Sequence, residues 1–187
     1  IGYRVWGIGY YFVLLLVMRT IILSTVAGDF DSIDEFDVRA IVDLSRFAGK
    51  LPILGICYGA QLTAHQMGGK VSKTLKREYG KATLSITTLS DPLFEGISNS
   101  SQVWMSHGDS IEELPSVFEA IATTEGIPVA AFRSKAQTLD APYYCLQFHP
   151  EVTHSVEGMD ILRNFVMKIA GCKGEWTPAS FIEETVN

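Results

Sequence analysis

Five consecutive residues, Gly55-Ile56-Cys57-Tyr58-Gly59, carry the first chemical signal. They follow the apolar run "PILGI" (52–56) and open a stretch rich in Ala, Leu and Gln. A strand, Gly-x-Cys-x-Gly and a helix make the cysteine form of a nucleophile elbow, a sharp turn that lifts a reactive atom clear of a sheet edge. With no Cβ at 55 and 59, neighbouring segments can approach the turn closely. The sulfur then stands at a helix N-terminus, where free N–H groups and the helix dipole favour negative charge. The Tyr58 N–H points the same way and is a candidate oxyanion donor. A free cysteine is more often an inert core residue, so the elbow needs a base before it counts as a catalytic site.

"LQFHPEV" (146–152) offers that base at a strand end. His149 and Glu151 are two apart, so in extended backbone both side chains leave the same face and the carboxylate can orient the imidazole. Pro150 stiffens the link by fixing its own backbone angle. A lone histidine reads as a satisfied surface or core residue and a lone glutamate as a solvated one. A cysteine elbow, a histidine and an orienting carboxylate together read as an acyl-transfer triad.

The elements that must position these groups alternate in an α/β pattern. "TIILS" (20–24) and "PILGI" (52–56) read as buried strands, "VRAIVDLSRFAG" (38–49) as an amphipathic helix stopped at Gly49, and the segment after Cys57 as a helix ended by Gly68-Gly69. From 71 to 150 the pattern becomes β-rich: "ATLSITTL", "QVWMS", "FEAIATT", "PVAAF" and "YYCLQF". "VEGMDILRNFVMKIAG" (156–171) repeats Ile161, Phe165, Val166 and Ile169 at helical spacing and closes on Gly171. The expected fold is α/β, with a mixed, largely parallel central sheet flanked by helices. Residues 1–171 form the domain and 172–187 a connection, in which Pro178 opens a new helix.

Composition narrows the function. The 187 residues suit one domain, and 47% hydrophobic with 19% charged content is that of a globular chain. A net charge of −6, from 15 basic and 21 acidic residues, provides no positive field for a phosphate backbone, so nucleic acid is excluded as a partner. Three widely spaced cysteines, Cys57, Cys145 and Cys172, do not read as a disulfide framework and suit a reducing compartment, the cytoplasm. "VWGIGYYFVLLLVM" (5–18) is short for a membrane span and lacks a basic cluster before it; a buried strand with its flanks is expected, and no membrane association.

Several motifs are rejected. The acidic run Asp29, Asp31, Asp34, Glu35, Asp37 has Asp34 at the sixth EF-hand position and Ala40 at the twelfth. Gly49-Lys50 and Gly69-Lys70 are not followed by Ser or Thr, so no phosphate loop is present. His149 and His154 lack zinc spacing, and no metal is expected.

"GICYGAQ" (55–61), "REYG" (77–80), "SHGDS" (106–110) and "QFHPEV" (147–152) stand in this order. From about residue 50 onward the chain resembles the class I glutamine amidotransferase family, and "GC.G.W" (171–176) resembles the exit of such a domain. The resemblance implies hydrolysis of glutamine to glutamate and ammonia through a thioester on Cys57, with His149 as acid and base and Glu151 holding the imidazole. It further implies oxyanion contacts at Tyr58 and Gly59, and a glutamine pocket touched or framed by Gln61, Glu78, Tyr79, Ser106, His107 and Asp109. Asp109 and Ser110 also read as ordinary turn residues, and Glu78 as a surface charge.

"REYG" and "SHGD" point within the family to members whose ammonia aminates XMP to GMP. The implied partner is an ATP-pyrophosphatase (synthetase) domain or subunit holding ATP and Mg, in an assembly expected to be a homo-oligomer; the domain read here needs no cofactor. One departure lies near the front, where "IILS" is followed by "TVAG". Thr25 stands where the family has a glycine that donates the second oxyanion bond, and Gly28 comes three places late. Residues 1–19 also lack the family's "DFGSQ"-like opening. The rival readings are a glutaminase serving another synthetase, a γ-glutamyl hydrolase, and a catalytically impaired glutamine-binding or docking module.

Overall fold

The computed structural model describes residues 11–17, 20–26 and 43–173. Nine strands and two helices are described: β1 (Tyr11–Val17), β2 (Thr20–Val26), β3 (Ile53–Ile56), α1 (Tyr58–Gln66), β4 (Lys70–Thr83), β5 (Ser85–Ile86), β6 (Gln102–Glu113), β7 (Phe118–Thr123), β8 (Ala131–Ser134), β9 (Tyr143–Leu146) and α2 (Gly158–Arg163). The last runs on as a π-helix over Asn164–Ile169. Seven strands form one sheet in the order β1-β2-β3-β9-β8-β7-β5, and β4 pairs with β6 alone. The architecture is the expected α/β one with a mixed sheet. The sheet is not largely parallel as expected: four of its six described ladders are antiparallel, because β1 and β5, β7 and β8 join it as antiparallel neighbours. Its parallel ladders are β2–β3 and β3–β9, while the outer strands are antiparallel.

That parallel centre positions the site. Ile56 of β3 lies opposite Leu146 of β9, so two chain segments some ninety residues apart end side by side at one sheet edge. In parallel sheets that carboxyl edge is where ligands bind. Residue 57 leaves one strand there, and residue 149 leaves the other.

Both faces of the centre are covered, which is why β3 and β9 read as unbroken apolar runs. Along β9 the side chains alternate. Tyr143 and Cys145 pack with Ile53, Ala60, Ala64, Phe118 and Phe132 on one face. Tyr144 and Leu146 pack with Leu54, Ile56, Phe148, Ile161 and Phe165 on the other. Phe132, Tyr143, Phe148 and Phe165 are essentially fully buried, each contributing about 1.5–3 kcal/mol by leaving water.

The apolar stretch at 5–18 is described only as β1, which pairs antiparallel with β2 from Tyr11↔Val26 to Val17↔Thr20. Of the helix expected over 38–49, residues 38–42 lie outside the described region. The rest forms a single 3-10 turn, Leu44–Arg46, capped by Asp43. Asp43 and Ser45 compete with helical hydrogen bonding, and Gly49, at φ +76°, turns the chain toward β3. Residues 174–187, including Pro178, lie outside the described region, as do Asp29 to Asp37 and Gly28.

Candidate active site

Cys57 sits between β3 and α1 with φ +52° and ψ −106°. A non-glycine residue in such a conformation costs about 1–3 kcal/mol and persists only where its surroundings hold it. Here the Cys57 N–H donates to the Leu146 carbonyl at 2.7 Å, while the Cys57 carbonyl accepts from Ala60 and Gln61 N–H. The elbow glycine has a steric reason as well: a Cβ at Gly55 would stand 2.9 Å from Cys145 Sγ and 2.9 Å from the Gly59 backbone. Cys57, Tyr58 and Gly59 are all buried, and Tyr58 is the first residue of α1. Burial also pushes up the pKa of the Tyr58 phenol, far from any role as an acid at neutral pH.

His149 and Glu151 meet as expected. Nδ1 of His149 lies 2.7 Å from Glu151 Oε1, with the imidazole buried and the carboxylate about one-third exposed. Burial opposes a charged imidazole, but hydrogen bonding and charge from Cys57 and Glu151 outweigh it and push the His149 pKa up to about 10. A cationic imidazole is therefore held between sulfur and carboxylate at neutral pH. The three residues read from sequence as a triad are brought together.

Strand β6 forms the facing wall. The Ser106 carbonyl is 3.7 Å from Cys57 Sγ. Gln61 Nε2 donates to the Asp109 carbonyl at 3.0 Å, and His107 Nδ1 donates to the same oxygen at 2.8 Å. Burial lowers the His107 pKa, and the charge of His149 lowers it further against support from Asp109. The ring is therefore neutral, and its buried Nε2 has no hydrogen-bond partner. Gln61, His107 and Asp109 are all buried.

The remaining residues are placed differently. Asp109 and Ser110 belong to β6 rather than to a turn. Glu78 pairs across β4–β6 with His107, and Tyr79 with Ser106. The Tyr79 side chain is 60% exposed, so it borders the site from outside. Thr25 is inside β2; Ser24 lies opposite Ile56, which sets Thr25 one step further along, beside the elbow.

Four positions escape sequence reading. Ser155 is buried, accepts from Trp104 N–H at 3.0 Å and donates to the His149 carbonyl at 2.5 Å. Gly158 opens α2 where a Cβ would overlap the Pro150 carbonyl. Trp104 accepts from the His149 N–H at 2.9 Å. Gln147 is buried two residues before His149, with neither end of its amide hydrogen-bonded. A glycine and a small hydroxyl just after "HPE" were the available signals, but nothing in the sequence links them to residue 104.

An elbow cysteine, a buried imidazole and its carboxylate at the carboxyl edge of a parallel sheet centre define a thiol amidotransferase fold. The family model for glutamine amidotransferase class-I matches residues 18–169, and the chain belongs to that family. Among its relatives is a GMP synthase [glutamine-hydrolyzing] of Cytophaga hutchinsonii, 51% identical over 78% of this chain and 28% of that protein. Another of the same name, from Caldicellulosiruptor saccharolyticus, is 51% identical over 79% of this chain and 28% of that protein. The chain thus spans just over a quarter of these relatives' length. A glutamine amidotransferase structure from Thermotoga maritima shares the fold at TM-score 0.64, with 18% identity, over 82% of this chain and 79% of that one. Among the described residues, no helix is long and apolar enough to cross a membrane, and all three cysteines are buried.

Proposed function

We propose that this chain is the glutamine-hydrolysing part of a GMP synthase, releasing ammonia for a synthetase part that uses ATP and Mg to aminate XMP. The observation that carries the reading is the strained Cys57 beside the His149–Glu151 pair. Half-identical relatives named as glutamine-hydrolysing GMP synthases support the synthetase assignment.

The chemistry follows from the geometry. The Cys57 sulfur attacks the glutamine carboxamide carbon, and the C=O electron pair moves to oxygen, where the Tyr58 N–H stabilises it. As the oxyanion collapses, the C–N bond breaks and the His149 imidazolium gives its proton to the departing nitrogen, leaving ammonia and a γ-glutamyl thioester. Neutral His149 then takes a proton from water while the water oxygen attacks the thioester carbon. Breaking the C–S bond releases glutamate and restores the sulfur. Glu151 fixes the ring tautomer so that Nε2 handles these protons. The neutral Nε2 of His107 is an acceptor for the ammonium or amide hydrogens of glutamine, and Gln61 and Asp109 set the strand that presents it.

The test uses glutamine labelled with 15N at the side-chain amide. Incubated with the synthetase part of such an enzyme, XMP and MgATP, the chain is expected to yield labelled GMP and unlabelled glutamate. Glutamate and labelled ammonia without GMP would point to another synthetase as partner. Bound glutamine with no turnover in any combination would point to a docking module.

A further inference from the structure

We infer that Ser155 is a positioning residue for the catalytic histidine, acting through a hydroxyl-completed backbone bridge between His149 and Trp104. The His149 N–H donates to the Trp104 carbonyl at 2.9 Å. The return bond is not direct: the Trp104 N–H donates to Ser155 Oγ at 3.0 Å, and the Ser155 O–H donates to the His149 carbonyl at 2.5 Å. One buried hydroxyl thus closes a ring through the amide and carbonyl of both residues.

Its place matters because β6 also faces the nucleophile. Two residues beyond Trp104, the Ser106 carbonyl is 3.7 Å from Cys57 Sγ. The same short length of strand therefore sets the position of the sulfur and of the imidazole. Ser155 is itself fixed: its N–H donates to the Val152 carbonyl at 3.0 Å, and its carbonyl accepts from Gly158 N–H at 3.1 Å. Residues 149–158 are thereby folded into one turn against β6. Removing the hydroxyl leaves the Trp104 N–H and the His149 carbonyl without their shared partner, and lets residue 149 drift from β6.

The inference rests on the glutaminase reading, so two readouts on the full chain separate the two. The first is steady-state glutamine hydrolysis; the second is the 15N–1H spectrum of the His149 ring across neutral and alkaline pH. Ser155→Thr keeps the hydroxyl, while Ser155→Val has nearly the same shape without it. The Val variant is expected to lose about 10²-fold in kcat with KM within about twofold, as misplacement of a catalytic group does. Its His149 ring should also titrate at lower pH, whereas Thr should stay near wild type in both. If the wild type itself does not hydrolyse glutamine, the glutaminase reading fails, and a His149 titration that separates Val from Thr still upholds the positioning role. Equal behaviour of Thr and Val in both readouts would overturn it. A Val variant that does not fold is replaced by Ser155→Ala, for which kcat and titration equal to wild type would overturn it too.

Discussion

The Nδ1 atom of His149 and Oε1 of Glu151 lie 2.7 Å apart across a single intervening proline. This contact commits one ring nitrogen to the carboxylate and leaves the other for proton transfer with Cys57. Replacing Glu151 with Gln keeps the shape but removes the charge. Glutamine hydrolysis should fall roughly 10- to 100-fold, less than a fully buried orienting group would cost, chiefly in kcat. Steady-state kinetics check this; unchanged kcat would mean that the carboxylate does not orient the ring.

The raised pKa of His149 has a defined sign in stability. Its folded value of about 10 exceeds the ~6.5 of an unstructured imidazole, so the native state binds more protons between those values. The stabilisation is complete below about pH 6.5 and is lost as pH rises through about 10. Urea titrations of wild type and His149→Gln should therefore show a stability difference that shrinks from neutral to strongly alkaline pH. A difference that grows with pH would contradict the assigned direction.

Gly158 faces the Pro150 carbonyl so closely that any Cβ there would overlap it. Gly158→Ala must push the segment carrying His149 away from α2. The expected cost is about 1–3 kcal/mol of stability, as for overpacking elsewhere, together with a fall in kcat. Gly171→Ala is the comparison: φ there is +65° but nothing lies within 4 Å of the added Cβ, so it should lose stability while kcat holds. Thermal unfolding and kinetics together separate the two outcomes.

The buried Asp91 carboxylate holds Arg133 at 2.5 Å and caps its own 3-10 turn by accepting from Leu93 N–H at 2.8 Å. Arg133 is partly exposed and keeps Glu119 Oε1 at 3.0 Å, so removing Asp91 costs the turn cap and one ion pair without stranding the guanidinium. Asp91→Ala should destabilise the domain by about 1–2 kcal/mol with kcat unchanged under folding conditions. A loss of kcat as large as that of Glu151→Gln would place this pair in the catalytic machinery instead.

The sequence shows those parts of the fold in which local pattern and tertiary demand agree. β3 and β9 are legible because strands buried on both faces are continuously apolar, and α1 because its start is fixed by the elbow and its end by Gly68. Most of β4, "KVSKTLKREYG", is not legible: its charges obscure any alternation, and a register irregularity between Lys73 and Glu78 breaks its period. Within the site, Cys57, His149 and Glu151 carry their chemistry in their side chains, so type and spacing suffice. Trp104 and Gly158 matter through their backbone, and Ser155 through a hydroxyl whose partners are backbone groups; all three depend on which strand lies opposite, and one sequence does not state that. Tyr79, read as framing the pocket, pairs with Ser106 in register and is 60% exposed, and its exposure is set by the β4–β6 pairing, which type and spacing do not state.

The most direct measurement is glutamate release by the Cys57→Ala chain, assayed under conditions in which the wild type turns over. With the sulfur gone no thioester can form, and the rate should fall at least about 10³-fold while glutamine still binds. Glutamate release within tenfold of wild type would show that the elbow sulfur is not the nucleophile.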